Sequence, residues 1–175
     1  NLSLMIDSDE NISKNFSGTK KIEFRMGRNK LLEFDYNFSS NSMLDLSNLS
    51  ILNASNSSLG GVVIRGVSLS KFGWKKTTYI EKIDNSKNGI CIKDDEISSI
   101  GEISSSCNSS SEFKIECDGT LQNSYRCIYN SSLGKYKVEG LKHSGIIQFS
   151  YSKPAPDSSS SSSSSGSSGS GGHLE

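Results

Sequence analysis

The cysteines are the residues of this chain whose type and spacing most directly indicate chemistry. Cys91, Cys107, Cys117 and Cys127 are separated by 16, 10 and 10 positions. Ligands of a structural zinc ion are usually paired about two to four residues apart, and a redox-active pair is typically C-x-x-C, so the spacing favours neither. We predict two disulfides and no metal site, and such bonds persist outside a reducing cytosol.

Four cysteines can pair in three ways. We favour Cys91–Cys107 with Cys117–Cys127, because Asp118-Gly119-Thr120 supplies turn residues inside the second loop. The nested pairing, with Cys107–Cys117 inside Cys91–Cys127, stays open. By chain-entropy reasoning, each closed loop would stabilise the fold by about 3 kcal/mol.

A candidate base and a candidate nucleophile are adjacent at one place in the sequence, His143-Ser144. Adjacent residues of a strand point to opposite faces of a sheet, so His143 is poorly placed to activate Ser144. The chain also lacks the G-x-S-x-G motif that presents a nucleophilic serine. A hydrogen-bonded histidine within a strand is the expected role, and we expect neither catalytic residues nor a cofactor.

Acidic residues cluster at Asp94-Asp95-Glu96, just before apolar residues at positions 97, 100 and 103. This order fits a short helix whose N-terminus the acids would stabilise, and an acid pair or a cation site is the alternative. The segment Asp7-x-Asp9-x-Asn11 resembles the start of a calcium loop, but Ile12 and Gly18 stand where that loop needs glycine and glutamate. A solvated loop is therefore expected there.

Aromatic side chains offer a second kind of site, because their flat faces suit sugars. Trp74 lies beside Lys75 and Lys76 and is the candidate exposed member of a stacking platform, with Tyr79 as the second candidate. Aromatic residues at alternating strand positions are more often core residues or cross-strand partners. Both interpretations stay open.

Nine N-x-S sequons occur, and in an exported protein such asparagines accept glycans. Our candidate acceptors are Asn37, Asn48, Asn53, Asn56, Asn108 and Asn130, and the other sequons begin at Asn1, Asn11 and Asn15. The chain contains 40 serines, so some sequons arise from composition alone. A sequence that is merely rich in serine and asparagine is the alternative interpretation.

The overall composition excludes some partners. The chain has 175 residues, with 19 basic and 19 acidic side chains and therefore no net charge. Without a basic excess, nothing steers it to nucleic acid or to anionic lipid. No apolar run approaches the roughly 18 residues that a membrane span needs, so we expect no membrane insertion by this segment.

Alternation of apolar and polar residues is the main structural signal. Residues Lys20–Met26 and Lys30–Phe38 alternate with period two on either side of Gly27, which indicates a half-buried hairpin. Residues 43–53 alternate again, and about nine or ten short strands recur about every 10–12 residues. The spacing predicts an all-β fold, an antiparallel two-sheet sandwich, Ig-like or related, with two disulfides and little helix.

Composition also divides the chain. We predict a polar lead-in over residues 1–18, a β-sandwich domain over residues 19–152, and a disordered Pro/Ser/Gly linker over residues 153–175 that ends in a cloning remnant, His173-Leu174-Glu175. The Ser/Gly tract cannot bury enough apolar surface to offset its ordering entropy. A natural glycosylated stalk and an engineered linker both fit it.

Several stretches resemble modules of archaeal secreted and cell-surface proteins. They are LDLSNLSI (44–51), KKTTYIEKI (75–83), GICIKDDEI (89–97), and YRCIYN followed by KYKVEGLKHSGII (125–147). The resemblance covers residues 43–148. It implies a β-sandwich unit near the end of a larger exported protein, followed by a polar stalk, and it supplies no catalytic residues.

Together these patterns predict a non-enzymatic, extracellular module that contributes structure or adhesion to a larger cell-surface protein. Its partners would be other cell-envelope proteins or glycans rather than nucleic acid. The alternative is a carbohydrate-binding module that uses exposed aromatic side chains.

Overall fold

The computed structural model describes residues 2–40, 43–54, 60–67, 69 and 73–152. Within this part the chain forms twelve β-strands, a single turn of 3-10 helix at Ile100–Glu102 and no α-helix. The strands are β1 (Leu2–Ile6), β2 (Thr19–Met26), β3 (Asn29–Asn37), β4 (Ser50–Asn53), β5 (Gly61–Arg65), β6 (Lys76–Glu81), β7 (Gly89–Lys93), β8 (Glu112–Glu116), β9 (Asp118–Gln122), β10 (Tyr125–Asn130), β11 (Lys135–Leu141) and β12 (Ser144–Phe149). The predicted all-β class is confirmed.

The strands form two antiparallel sheets. The seven-stranded sheet has the order β1-β2-β3-β6-β11-β10-β9, and the five-stranded sheet has the order β4-β5-β12-β7-β8. Their inner faces share one apolar core, to which Phe24 and Leu32 contribute from the larger sheet and Ile64 and Ile146 from the smaller one. The predicted two-sheet sandwich is therefore confirmed, and β2 and β3 form the predicted hairpin.

A second, smaller apolar cluster covers the outer face of the five-stranded sheet. Val63, Cys91 and Ile147 point outward from this sheet and meet Ile97 and Ile103 of the segment over residues 94–111. The strands β5, β7 and β12 are therefore buried on both faces. This explains why they read as continuous apolar runs, whereas a strand with one solvated face alternates.

Both disulfides join neighbouring segments of the chain. Cys91–Cys107 ties the covering segment to β7, and Cys117–Cys127 ties the crossing from β8 to β9 to strand β10. Since β8 and β9 belong to different sheets, the second bond fixes the place where the chain passes from one sheet to the other. The sequential pairing is confirmed, and the nested alternative is wrong.

Four local predictions differ from the structure. Asp118-Gly119-Thr120, predicted to supply a turn, begins strand β9, and the turn before β10 is Asn123-Ser124. Leu2–Ile6, placed in a polar lead-in, is strand β1 and pairs with β2, because Leu4 packs against the main core. Of the alternating residues 43–53, only Ser50–Asn53 form a strand. The helix predicted after Asp94 was wrong, since only Ile100–Glu102 turns helically.

Some predictions fall outside the described residues. These are the glycan acceptor at Asn56 and the disordered linker over residues 153–175. Among the residues that the structure does describe, no helix is long and apolar enough to cross a membrane.

Candidate functional site

The strand order creates a cleft on the outer face of the seven-stranded sheet. Strands β3 and β6 are neighbours, yet they pair at only two positions, Leu32 with Thr78 and Glu33 with Thr77. Past these pairs, the β2–β3 hairpin and the β10–β11 hairpin stand on either side of Tyr79 and leave a cleft of about 380 Å³. The lining residues are Arg25, Arg28, Asn29, Lys30, Tyr79, Asn130, Leu133, Lys135 and Lys137.

Two buried carboxylates, Glu23 and Glu33, lie beside the cleft. Nζ of Lys30 donates to both, at 2.8 Å and 2.7 Å, and Nη2 of Arg25 donates to Glu23 at 2.6 Å. Burial raises the pKa of each carboxyl, but the hydrogen bonds outweigh burial, and both pKa values end below their usual range. Two cations and two anions therefore balance one another on this side of the cleft.

Tyr79, one of the two predicted stacking residues, forms the floor of the cleft. Its hydroxyl donates a hydrogen bond to Oε1 of Glu33 at 2.8 Å, and Nζ of Lys30 lies 5.5 Å from its ring centroid. Burial and the neighbouring carboxylate of Glu33 raise the pKa of Tyr79 well above its usual value. The hydroxyl thus stays protonated and keeps the ring in one orientation, which lowers the ordering cost of binding a ligand.

Trp74, the other predicted stacking residue, is not part of the cleft. Its ring meets the ring of Tyr36 edge-on, with centroids 5.4 Å apart, and it packs against the main core. Trp74 is half-buried. Tyr36 points into the sandwich, whereas Tyr79 points away from it, so the structure does not bring the two predicted stacking residues to one surface.

None of the five basic residues of the cleft was predicted from the sequence: Arg25, Arg28, Lys30, Lys135 and Lys137. Lys137 pairs with Glu139 at 2.7 Å, and Lys135 lies 3.9 Å from Glu81. Lys135 and Lys137 alternate along β11, so their common face could have been read from the sequence. No local signal places Arg28 opposite them, because that depends on β3, β6 and β11 being neighbours.

The acidic cluster and His143 form a structural clamp at the other end of the sandwich. Asp94 accepts hydrogen bonds from the backbone N–H of Lys142, at 3.0 Å, and from the hydroxyl of Tyr125, at 3.1 Å. Nδ1 of His143 lies 2.8 Å from Oε2 of Glu96. His143 is hydrogen-bonded as predicted, but it lies in the bend between β11 and β12 and not on a strand. The acids hold this bend and do not cap a helix. The side chain of Ser144 lies outside the described part.

Most of the predicted glycan acceptors are accessible. The exposed ones are Asn48, Asn53, Asn108 and Asn130, whereas Asn37 is half-buried. Asn130 also lines the cleft, and its Oδ1 accepts a hydrogen bond from the backbone N–H of Leu133 at 3.1 Å. A glycan on Asn130 would therefore stand at the edge of the cleft.

Comparisons with protein-family models, with curated proteins and with solved structures found no match to this chain.

Proposed function

We propose that this chain is a non-enzymatic, extracellular module that contributes structure or adhesion to a cell envelope as part of a larger surface protein. The observation that carries the proposal is the pairing of all four cysteines. Such bonds persist in oxidising compartments. They reinforce a chain in which only 33% of the residues are hydrophobic, and the partners of this role would be other envelope proteins or glycans.

The contacts of His143 support a role without catalysis. Its ring is bonded to Glu96, and its backbone N–H donates to Asp94. Both partners are carboxylates of the segment that follows β7, so the two contacts tie the β11–β12 bend to that segment. These contacts fit a residue that fixes a bend.

The test compares the secreted chain, with both disulfides formed, with a variant that carries alanine at all four cysteine positions. We expect the oxidised chain to survive prolonged incubation with mixed proteases, while the variant is cleaved within the domain. Equal survival of the two would contradict the proposal. Turnover of an envelope polymer that is lost in His143→Ala would instead identify an enzyme.

A carbohydrate-binding module is the second candidate function, and the cleft over Tyr79 is the observation that favours it. A glycan array separates the two functions. Tyr129 is an exposed tyrosine outside the cleft and serves as the control. Selective glycan binding would support the carbohydrate-binding module if Tyr79→Ala loses it and Tyr129→Ala keeps it. If no glycan on the array binds, the result would support the structural role instead.

A further inference from the structure

We infer that the cleft binds an acidic carbohydrate, one whose sugar rings carry carboxylate or sulfate groups. The inference rests on the cleft being the ligand site of the second function proposed above, and it adds the class of ligand. Its basis is the placement of charge on the two facing hairpins.

Positive charge is concentrated in this cleft. Five of the nine lining residues are cationic and none is acidic, although the whole chain has 19 basic and 19 acidic residues. Glu23 and Glu33, which lie beside the cleft, balance two of these cations, and Glu139 balances a third. A recessed site that keeps a net positive charge still attracts ligands of the opposite sign. The cleft is therefore a local anion-attracting feature on a neutral protein.

Lys135, on the β10–β11 wall, has one long ion pair among the described residues. Its side chain is 9% exposed, and the nearest carboxylate oxygen, that of Glu81, is 3.9 Å away, beyond hydrogen-bond distance. Among the described residues its ammonium makes no hydrogen bond. Burial lowers the pKa of Lys135, because its charge is poorly solvated in this position. An anion in the cleft would supply the missing hydrogen bond.

Arg28 presents the second available cation, on the opposite wall. It lies at the tip of the β2–β3 hairpin, is exposed, and has no ion pair among the described residues. A guanidinium binds a carboxylate or a sulfate through two parallel hydrogen bonds. Because Glu23 and Glu33 already balance Arg25 and Lys30, the cations available to a ligand are Arg28 and Lys135.

The remaining lining suits a sugar ring. Tyr79 and Leu133, the latter 62% exposed, offer apolar surface to the C–H face of a pyranose. The side-chain amide of Asn29 can donate to and accept from sugar hydroxyls. The volume of about 380 Å³ falls within the usual range for ligand sites, about 300–1,000 Å³. A nucleic acid would require an extended basic stripe, which a chain with a pI near 6.9 does not favour.

The test is titration calorimetry on the full chain, with both disulfides formed and produced in a host that adds no N-glycans, so that Asn130 is unmodified. The probes are a short oligogalacturonate and a short heparin oligosaccharide, each compared with its methyl-esterified or desulfated counterpart. We expect the acidic probe to bind about tenfold or more tightly than its neutral counterpart, as for one charge-assisted hydrogen bond.

Two substitutions locate the binding. Arg28→Ala and Lys135→Gln are each expected to weaken binding of the acidic probe about tenfold. Arg65→Ala removes an exposed arginine from β5 of the other sheet and should leave binding unchanged. Thermal unfolding of each variant checks that the fold is retained. Because Arg28 is exposed, we expect Arg28→Ala to fold normally.

Each contrary outcome has a distinct meaning. Equal binding of acidic and neutral probes would overturn the acidic class and keep the carbohydrate module. Binding unaffected by both substitutions would overturn the location. Tighter binding of single-stranded DNA or of phosphatidylserine vesicles, with the same loss in Arg28→Ala, would assign the cleft to phosphate instead. Failure of every probe to bind would overturn the inference, whereas the glycan array tests the second function and protease survival tests the structural role.

Discussion

The ammonium group of Lys76 donates a hydrogen bond to the main-chain carbonyl oxygen of Val67, at 3.0 Å, inside the sandwich. Lys76 is 1% exposed and has no carboxylate within ion-pair distance among the described residues. Burial lowers the pKa of Lys76 to about 8, and the more distant charges of Asp94 and Glu96 oppose this only in part. A protonated lysine in this position therefore destabilises the fold.

Because of this buried lysine, we expect the free energy of unfolding to rise with pH between about 8 and 10. The unfolded chain keeps Lys76 protonated up to its ordinary pKa of 10.5, whereas the folded chain releases the proton near 8. The unfolded state thus binds more protons in this window, and stability rises with pH by up to about 3 kcal/mol. Above pH 10 the pKa of Tyr136, raised by burial to about 12, acts in the opposite direction.

Urea denaturation at several pH values measures this dependence, and Lys76→Met provides the control. Methionine has a similar length and carries no charge, so the variant should be more stable than the parent at pH 7. Its stability should rise less steeply from pH 8 to 10, with Lys135, whose pKa is also lowered by burial, still contributing. Identical slopes for parent and variant would show that Lys76 is not the titrating group.

Thr78→Val should stabilise the protein. Thr78 is fully buried, and its Oγ1 has no hydrogen-bond partner among the described residues. Removing a buried, unsatisfied hydroxyl while keeping the shape should raise the free energy of unfolding by about 1 kcal/mol. Thr77→Val, on the outer face of the same strand, is the matched control and should change stability by less than about 0.5 kcal/mol. A destabilised Thr78→Val variant would mean that the hydroxyl has a partner.

Gln148→Leu should destabilise the protein, because Gln148 links the two sheets. Its Oε1 accepts from the backbone N–H groups of Ile83 and Asp84, each at 3.2 Å, and its Nε2 donates to the carbonyl oxygen of Glu81 at 2.7 Å. Leucine would leave these groups without partners, at a cost of roughly 3 kcal/mol. Chemical denaturation measures the loss, and a change below about 0.5 kcal/mol would contradict the linking role.

Removing each disulfide should have a similar effect on stability but a different local effect. The loops span 16 and 10 residues, so each double alanine variant should lose about 3 kcal/mol. In Cys91→Ala/Cys107→Ala, the segment over residues 97–107 should also lose amide protection, because the bond to β7 is lost and its apolar residues pack on the outer face of β5, β12 and β7 without further covalent support. Hydrogen exchange read by mass spectrometry checks this, and Cys117→Ala/Cys127→Ala serves as the comparison, since protection of 97–107 should survive there.

The sequence predicted best where the signal is local. The β2–β3 hairpin follows from period-two alternation around Gly27. Cysteine spacing favoured the sequential disulfides correctly, although the turn predicted at Asp118 is part of strand β9. The errors arose where tertiary contacts override local pattern. Leu2–Ile6 is short and is followed by polar residues, so the sequence alone does not predict a strand there. It forms a strand because it pairs with β2. Asp94 was interpreted as a helix cap, and its real partners, in Tyr125 and Lys142, lie far away in the sequence.

By itself, the sequence determined the all-β class and the two antiparallel layers, and it favoured the sequential disulfides over the nested pairing, because alternation and cysteine spacing act over a few positions. Only the tertiary structure decided that Arg28 faces Lys135 across Tyr79, that Trp74 covers the core, and that Lys76 is buried. Those outcomes depend on β3, β6 and β11 lying side by side although they are not consecutive in the chain. Strand order of this kind is set by the joint packing of both sheets, and no short stretch of residues encodes it.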